Sequence, residues 1–255
     1  MDLGDKLESL SALFPAFNDA VTIGGLVEKT FLLLRSSRRN FEILVVDDGS
    51  TDATPQVLQQ LKARFGTALR VIHHPVNRGY GAALRSGFAA ASKDLVFYTD
   101  GDGQYDPGEL SLLLSRLEPR VGLVNGYKIK RCDPLYRIWI GRIYNAFVRK
   151  LFRITVRDVD CDFRLMRRSL LAKTALRSET GAICVELLRE LEGLGCEVVN
   201  VPVHHYPRIA GQSQFFRWHS VLATLQQLGD LYFCRRSPMH ASQAELLESH
   251  PNDVQ

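Results

Sequence analysis

The stretch FEILVVDDGSTDATPQVLQQLKARF, residues 41–65, holds an apolar β-rich run, an acidic turn with one glycine, and a segment with apolar residues at helical spacing. A buried strand that ends in carboxylates and feeds a helix is half of a β-α-β unit. Working outward, the same grammar recurs. Strand-like runs LSALF, LRVIHH, DLVFYT and VGLVNG join FEILVVD, and between them lie VTIGGLVEKTFLLLRSS, ATPQVLQQLKARF, GYGAALRSGFAAAS and PGELSLLLSRLE, each suited to a helix. Such alternation to about residue 127 predicts an α/β fold, a mainly parallel twisted sheet flanked by helices, with ligands beyond the carboxyl ends of the strands. VVDDGS, HHPVNRGYG and YTDGDGQYD all sit at strand exits, so they are expected to converge on one crevice.

Bulk properties agree with a folded enzyme-sized chain. In 255 residues, 45% are hydrophobic and 24% charged, a balance that excludes a disordered chain. A net charge of +4 is too mild for a strongly basic nucleic-acid reader, so no nucleic-acid partner is expected. The five cysteines are scattered, with no C-x-x-C pair, and read as reduced thiols of a cytoplasmic protein. The amino terminus has no basic region followed by an apolar run, and no apolar stretch reaches about 18 residues. Neither a secretory signal nor a spanning helix is therefore expected. The adjacent pairs His73-His74 and His204-His205 lie in strand-like runs, where neighbours face opposite ways. Packing or hydrogen bonding suits them better than a shared metal.

The carboxylates carry the chemistry. Ser50 or Asp52 can cap the helix after Gly49, but a capped turn does not need the adjacent pair Asp47 and Asp48. A carboxylate there can accept hydrogen bonds from a nucleotide base or ribose. Asp100 and Asp102 flank a glycine in TDGDGQYD, so both can turn toward one ion. Mg²⁺ uses one or two carboxylates plus substrate phosphates, which suits a diphosphate ligand; the alternative is a solvated acidic turn. RGYGAAL has Gly79 and Gly81 in G-x-G spacing but Leu84 at the third position of a dinucleotide fingerprint, which argues against a nicotinamide cofactor.

FPAFND, VVDDGSTD, NRGYGAALRSGF, YTDGDGQYDP, DVDCDFRLMRR and VPVHHYPRIAGQS, in that order over about residues 9–215, resemble family 2 glycosyltransferases, above all the dolichyl-phosphate mannosyltransferase and polyprenyl-phosphate group. The resemblance implies a GT-A fold, placed over residues 1–236 with a donor half to about 127 and an acceptor half from 128; residues 237–255 read from their composition as a polar, flexible tail. It implies an inverting transfer from a UDP- or GDP-sugar to a polyprenyl phosphate with Mg²⁺ or Mn²⁺. Pro15, Phe17 and Asp19 match the first donor motif, with Asp19 where a glutamate is usual. Asp47 and Asp48 match the nucleoside-contacting pair, and Gly79 falls in the donor-binding set. Asp100, Asp102 and Gln104 match the metal and diphosphate motif. Arg208, Gly211 and Ser213 match a late R-x-x-G-x-S segment that closes over the phosphates, with Gln214 where a lysine is common. Asp100, Asp102 and Arg208 are the expected catalytic residues.

A lipid phosphate is already ionised near neutral pH and needs no general base, whereas an alcohol acceptor does, with Asp160, Asp162 or Glu186 as candidates. Glu186 also suits a solvent-facing helical position paired with Arg189. From Arg137 to Ile154 runs a basic amphipathic segment: Arg142, Arg149, Lys150 and Arg153 fall within an arc of ~100°, opposite Ile140, Ile143, Phe147 and Leu151. Either the apolar side faces the core, or the helix lies on an anionic membrane. On the second reading Lys128, Arg131, Arg142 and Arg149 meet the acceptor phosphate, and the protein is peripheral at the inner membrane face or docked on a membrane-embedded partner. Competing functions are transfer to a soluble alcohol or protein and a non-catalytic sugar-nucleotide-binding subunit.

Overall fold

A computed structural model describes residues 7–129, 135–209 and 218–234. Arg131, Gly211, Ser213, Gln214 and the expected tail lie outside the described residues. Seven strands, β1 (Leu10–Ala16), β2 (Phe41–Asp47), β3 (Leu69–His73), β4 (Leu95–Thr99), β5 (Val121–Ile129), β6 (Phe163–Arg167) and β7 (Glu197–His204), form one sheet in the order β3-β2-β1-β4-β6-β5-β7. The helices are α1 (Ile23–Ser36), α2 (Thr54–Phe65), α3 (Tyr80–Ala90), α4 (Leu110–Leu114), α5 (Leu135–Phe152), α6 (Arg168–Leu171), α7 (Ala182–Gly193) and α8 (Trp218–Cys234).

β1 runs parallel to β2 on one side and to β4 on the other. The chain therefore reverses its winding direction across β1 and β4. In open α/β sheets that reversal opens a crevice at the strands' carboxyl ends. Alternate side chains of each strand feed opposite layers. Ala12 and Phe14 of β1 join Ile43 and Val45 beneath α1 and α2, whereas Leu13 joins Leu44, Val46 and Tyr98 beneath α3 and α7. Each such fully buried aliphatic or aromatic side chain contributes about 1.5–3 kcal/mol.

One strand comes from DVDCDFRLMRR, a charged segment that is not among the strand-like runs read from the sequence. β6 lies inside the sheet and pairs antiparallel with both β4 and β5, with Thr99 opposite Phe163 and Tyr98 opposite Arg164. Arginines hide it, since Arg164 is fully buried at the centre of the run. Its guanidinium is satisfied by Asn125 Oδ1 at 2.7 Å, Asp162 Oδ1 at 3.1 Å, the Tyr98 hydroxyl and the Val159 carbonyl. A buried arginine survives only with its donors paired in this way.

Candidate active site

The loops leaving β1 and β2 are stitched together by Asn18, a residue the sequence reading passed over. Asn18 sits at φ 59°. Its Oδ1 accepts from Thr51 N at 2.8 Å and Asp52 N at 3.2 Å, and its own N–H donates to Ser50 Oγ at 3.0 Å. Asp19 Oδ2 accepts from Phe17 N at 3.0 Å, and Asp19 N donates to Thr54 Oγ1 at 2.9 Å. Pro15, by contrast, is a buried β1 residue. Burial, reinforced by the Asp102 charge, pushes the Asp19 carboxyl up to about 6 against the opposing pull of the Phe17 N–H and Arg208.

Asp47 and Asp48 are both buried, and both have partners in the chain. Asp47 accepts from Ser50 N at 3.0 Å and meets His73 Nδ1 at 2.9 Å. Asp48 meets His74 Nδ1 at 2.6 Å and accepts from Arg78 N at 3.0 Å and Gly79 N at 2.9 Å. Each histidine of the pair thus goes to one aspartate. The Asp48 contacts hold the turn that opens α3, where Gly79 takes φ 95°, a value that favours glycine.

At the exit of β4, Asp100 Oδ1 accepts from the Tyr80 hydroxyl at 2.7 Å. Asp102 Oδ1 accepts from Gln104 N at 2.9 Å, and its Oδ2 takes a 2.6 Å hydrogen bond from Arg208 Nη2. The Gln104 side chain donates to the Tyr206 carbonyl at 3.1 Å, while Tyr206 N donates to the Gln104 carbonyl at 2.8 Å. The acidic turn is therefore sewn to the segment after β7 that carries Arg208. Burial, with the charges of Asp162 and Asp102, holds the Asp100 carboxyl well above the ordinary range. Asp102 is raised by burial as well, against the opposing charges of Arg208 and Lys128.

Two neighbouring carboxylates whose ionised forms are penalised by burial are a donor set whose chemistry suits a divalent cation. Among the described residues no group of three or more histidine, cysteine, aspartate or glutamate side chains is arranged to hold an ion. That fits a site whose remaining oxygen ligands come from phosphate and water. The pair sits in the crevice between β1 and β4, with the Asp19 carboxylate 3.2 Å from a Cβ built on Gly101.

A third carboxylate lies near. Asp162 Oδ1 accepts from Arg164 Nη1 at 3.1 Å, Cys184 Sγ at 3.1 Å and the Tyr98 hydroxyl at 3.3 Å. Glu186 behaves otherwise than the sequence suggested. It is buried, does not pair with Arg189, and accepts from Arg177 N at 3.0 Å and Ser178 N at 2.9 Å. The loop it holds presses on α3: Gly81 N donates to the Glu179 carbonyl at 2.8 Å, and a Cβ on Gly81 would lie 2.4 Å from the Ser178 carbonyl oxygen. Gln227 of α8 secures the same loop, its Oε1 accepting from Glu179 N at 3.1 Å and Thr180 N at 3.2 Å.

Of the expected acceptor cations, Lys128 lies near the carboxylates, its charge opposing the burial that raises the Asp102 carboxyl, while its Nζ donates to the Asp160 carbonyl at 2.5 Å. Arg142 and Arg149 lie on α5, and neither pairs with Asp100, Asp102 or Asp162. Arg142 is exposed, its guanidinium 5.8 Å from the Trp139 ring centre, and Arg149 is half-buried with its Nε unpartnered.

The family profile described as Glycosyl transferase family 2 matches residues 11–174, a span holding every carboxylate described above except Glu186. The chain belongs to glycosyl transferase family 2. An undecaprenyl-phosphate 4-deoxy-4-formamido-L-arabinose transferase of Pseudomonas paraeruginosa is 30% identical over 89% of this chain and 65% of its own length. A transferase of the same name from Salmonella choleraesuis is 26% identical over 89% of this chain and 68% of its own. The chain thus spans about two-thirds of the length of these curated relatives. Among solved structures, glucosyl-3-phosphoglycerate synthase from Mycobacterium tuberculosis with Mn²⁺, UDP and phosphoglyceric acid gives a TM-score of 0.67 at 20% identity, covering 87% of this chain and 78% of that one. The same enzyme with Mg²⁺ and UDP gives 0.65, covering 87% and 79%. The architecture is the GT-A fold, and the protein is a family 2 glycosyltransferase. No described helix is long and apolar enough to cross a membrane.

Proposed function

We propose that this glycosyltransferase moves a sugar, with inversion, from a uridine diphosphate sugar to a polyprenyl phosphate, using Mg²⁺ or Mn²⁺. The observation that carries the reading is the Asp100–Asp102 pair, half-buried at Asp100 and buried at Asp102, with Arg208 on it, 2.6 Å from Asp102. Two carboxylates left short of positive charge at the switch point of the sheet suit a cation shared with a diphosphate. The acceptor is proposed from the activity by which the relatives are named.

In this reading the donor lies across the exits of β1, β2 and β3, against Phe17, Asp19, Asp47 and the turn Arg78–Gly79 that Asp48 shapes. Asp100 and Asp102 would hold the metal, with Gln104 keeping their turn in place; when bound, the metal would supply positive charge to the leaving diphosphate. Arg208 adds a guanidinium to the same region, and Ser213 belongs to the segment that follows it. A phosphate oxygen of the acceptor forms the new bond to the anomeric carbon as the bond to the diphosphate oxygen breaks, and the electron pair leaves with the nucleoside diphosphate. Developing negative charge on that leaving group is what preorganised cations stabilise. Lys128 would meet the acceptor phosphate in this reading. No general base is required, because the phosphomonoester is already largely ionised. Glu186 would be a poor base in any case, since its carboxylate is occupied by Arg177 N and Ser178 N.

The test is incubation of the protein with UDP-sugars, Mn²⁺ and detergent-dispersed polyprenyl phosphate. Sugar appearing in the organic phase together with stoichiometric UDP release supports the proposal. UDP release that is indifferent to the lipid, with the sugar staying in the aqueous phase, overturns the acceptor assignment.

A further inference from the structure

Of the apolar side of α5, only Leu151 packs on the core. Val148 and Phe152 are buried, and Tyr144 and Leu151 half-buried, on one side of the helix. Trp139, Ile140, Ile143 and Phe147 are exposed, at 62%, 53%, 67% and 58%, on another. At 100° per residue these four fall within an arc of ~100°, adjoining the core side, and Arg142 and Arg149 border the arc on its far edge, while the exposed Arg153 follows the last residue of the helix. Lys150 projects from within the arc itself. Four large apolar side chains in one row on one helix are a contiguous patch of the kind that marks an interaction surface.

The charge pattern selects the partner. Between Asp133 and Asp158 the chain has no acidic residue, while Arg137, Arg142, Arg149, Lys150, Arg153 and Arg157 are all basic. A two-fold contact between copies of this face would set like charges together, because an isologous interface meets its own surface. A surface of anionic headgroups over an apolar interior answers both halves of the pattern. Tryptophan favours the headgroup boundary, long cationic side chains reach up to phosphates from a buried row, and the aliphatic residues enter the acyl boundary.

We propose that α5 is a membrane-docking helix that lays Trp139, Ile140, Ile143 and Phe147 into the interface of an anionic lipid bilayer, with Arg142, Lys150 and Arg153 at its headgroups. Its purpose rests on the lipid-acceptor reading, since a polyprenyl phosphate presents its headgroup at such a surface. The docking geometry itself uses none of the residues assigned to the donor.

Vesicle flotation of the full chain tests it, with vesicles of phosphatidylcholine alone or mixed with phosphatidylglycerol and no polyprenyl phosphate. Wild type is expected to float with the anionic vesicles. In a Trp218→Phe background, where Trp139 is the one remaining tryptophan, its emission is expected to shift to shorter wavelength. Ile143→Glu with Phe147→Glu is expected to lower vesicle partition by about tenfold or more, and the exposed positions let the variant fold. Lys150→Glu with Arg153→Glu is expected to erase the preference for phosphatidylglycerol. Wild type that stays off anionic vesicles overturns the proposal. So does partition unchanged by the Ile143 and Phe147 substitutions, or a wild-type dimer that those substitutions convert to monomer. If flotation fails while detergent-dispersed polyprenyl phosphate is still glycosylated, docking falls and the acceptor reading stands; if the protein floats but labels no lipid, the reverse holds.

Discussion

Asparagine in place of Asp19 is expected to stabilise the metal-free protein at neutral pH and to leave it unchanged in acid. Asp19 titrates near 6 in the fold against an ordinary value of 3.8. At 1.36 kcal/mol per pKa unit, the penalty for ionising it amounts to at most about 3 kcal/mol, and partial solvent access brings the expectation to about 2 kcal/mol. The sign follows from proton binding. Between the two values the folded chain holds a proton that the unfolded chain has lost, so wild-type stability is full below about pH 4 and falls as pH rises through about 6. Asparagine keeps the acceptor for Phe17 N and cannot ionise. The variant should therefore melt about 4–8 °C above wild type near pH 8. The two should converge near pH 4. Thermal denaturation across that range, with chelator present, is the assay. A gap that does not change with pH, or a variant less stable at pH 8, would refute the reasoning. Saturating UDP with Mn²⁺ should narrow the gap, because added positive charge removes part of the cost of ionising wild-type Asp19.

Three further outcomes are expected. Arg164→Leu strands Asp162, Asn125 Oδ1 and the Val159 carbonyl in the interior and should cost about 3–5 kcal/mol in urea denaturation; a loss under about 1 kcal/mol would contradict the assigned pairing. Gly81→Ala forces the Ser178 carbonyl away from α3 and should destabilise by about 1–3 kcal/mol, also read by urea denaturation, with an unchanged midpoint counting against the close approach. Arg208→Ala should lower kcat by about 10²–10³ while changing KM for the lipid little, and a change confined to KM would remove Arg208 from the leaving-group side.

The first four strands are legible in the sequence as apolar runs, and the acidic exits of β2 and β4 as runs that stop at carboxylate and glycine, a purely local pattern. β6 is not, because its stability depends on nonlocal partners for Arg164, which lie on β4, on β5 and in the preceding loop. The same limit hid the pairing of His73 and His74 with Asp47 and Asp48. The parallel register sets Asp47 beside His73, and no local signal announces it. Glu186 follows the helical period of α7, but the period cannot say that a loop folds over it. For α5, periodicity finds an apolar and a basic side, although Lys150 projects from within the exposed apolar row. It cannot tell which side the rest of the chain covers, and the protein turns a third side, around Val148 and Phe152, to the core.

Calorimetric titration of UDP, with and without Mn²⁺, into wild type and Asp102→Asn addresses the carboxylate pair most directly. Asparagine can still accept from Gln104 N, and a matched melting curve confirms an intact fold. The account predicts that Mn²⁺ tightens UDP binding to wild type by at least about tenfold and does little for the variant. Equal enhancement in both proteins, or none in wild type, would contradict the assignment of Asp100 and Asp102 to a metal shared with the donor diphosphate.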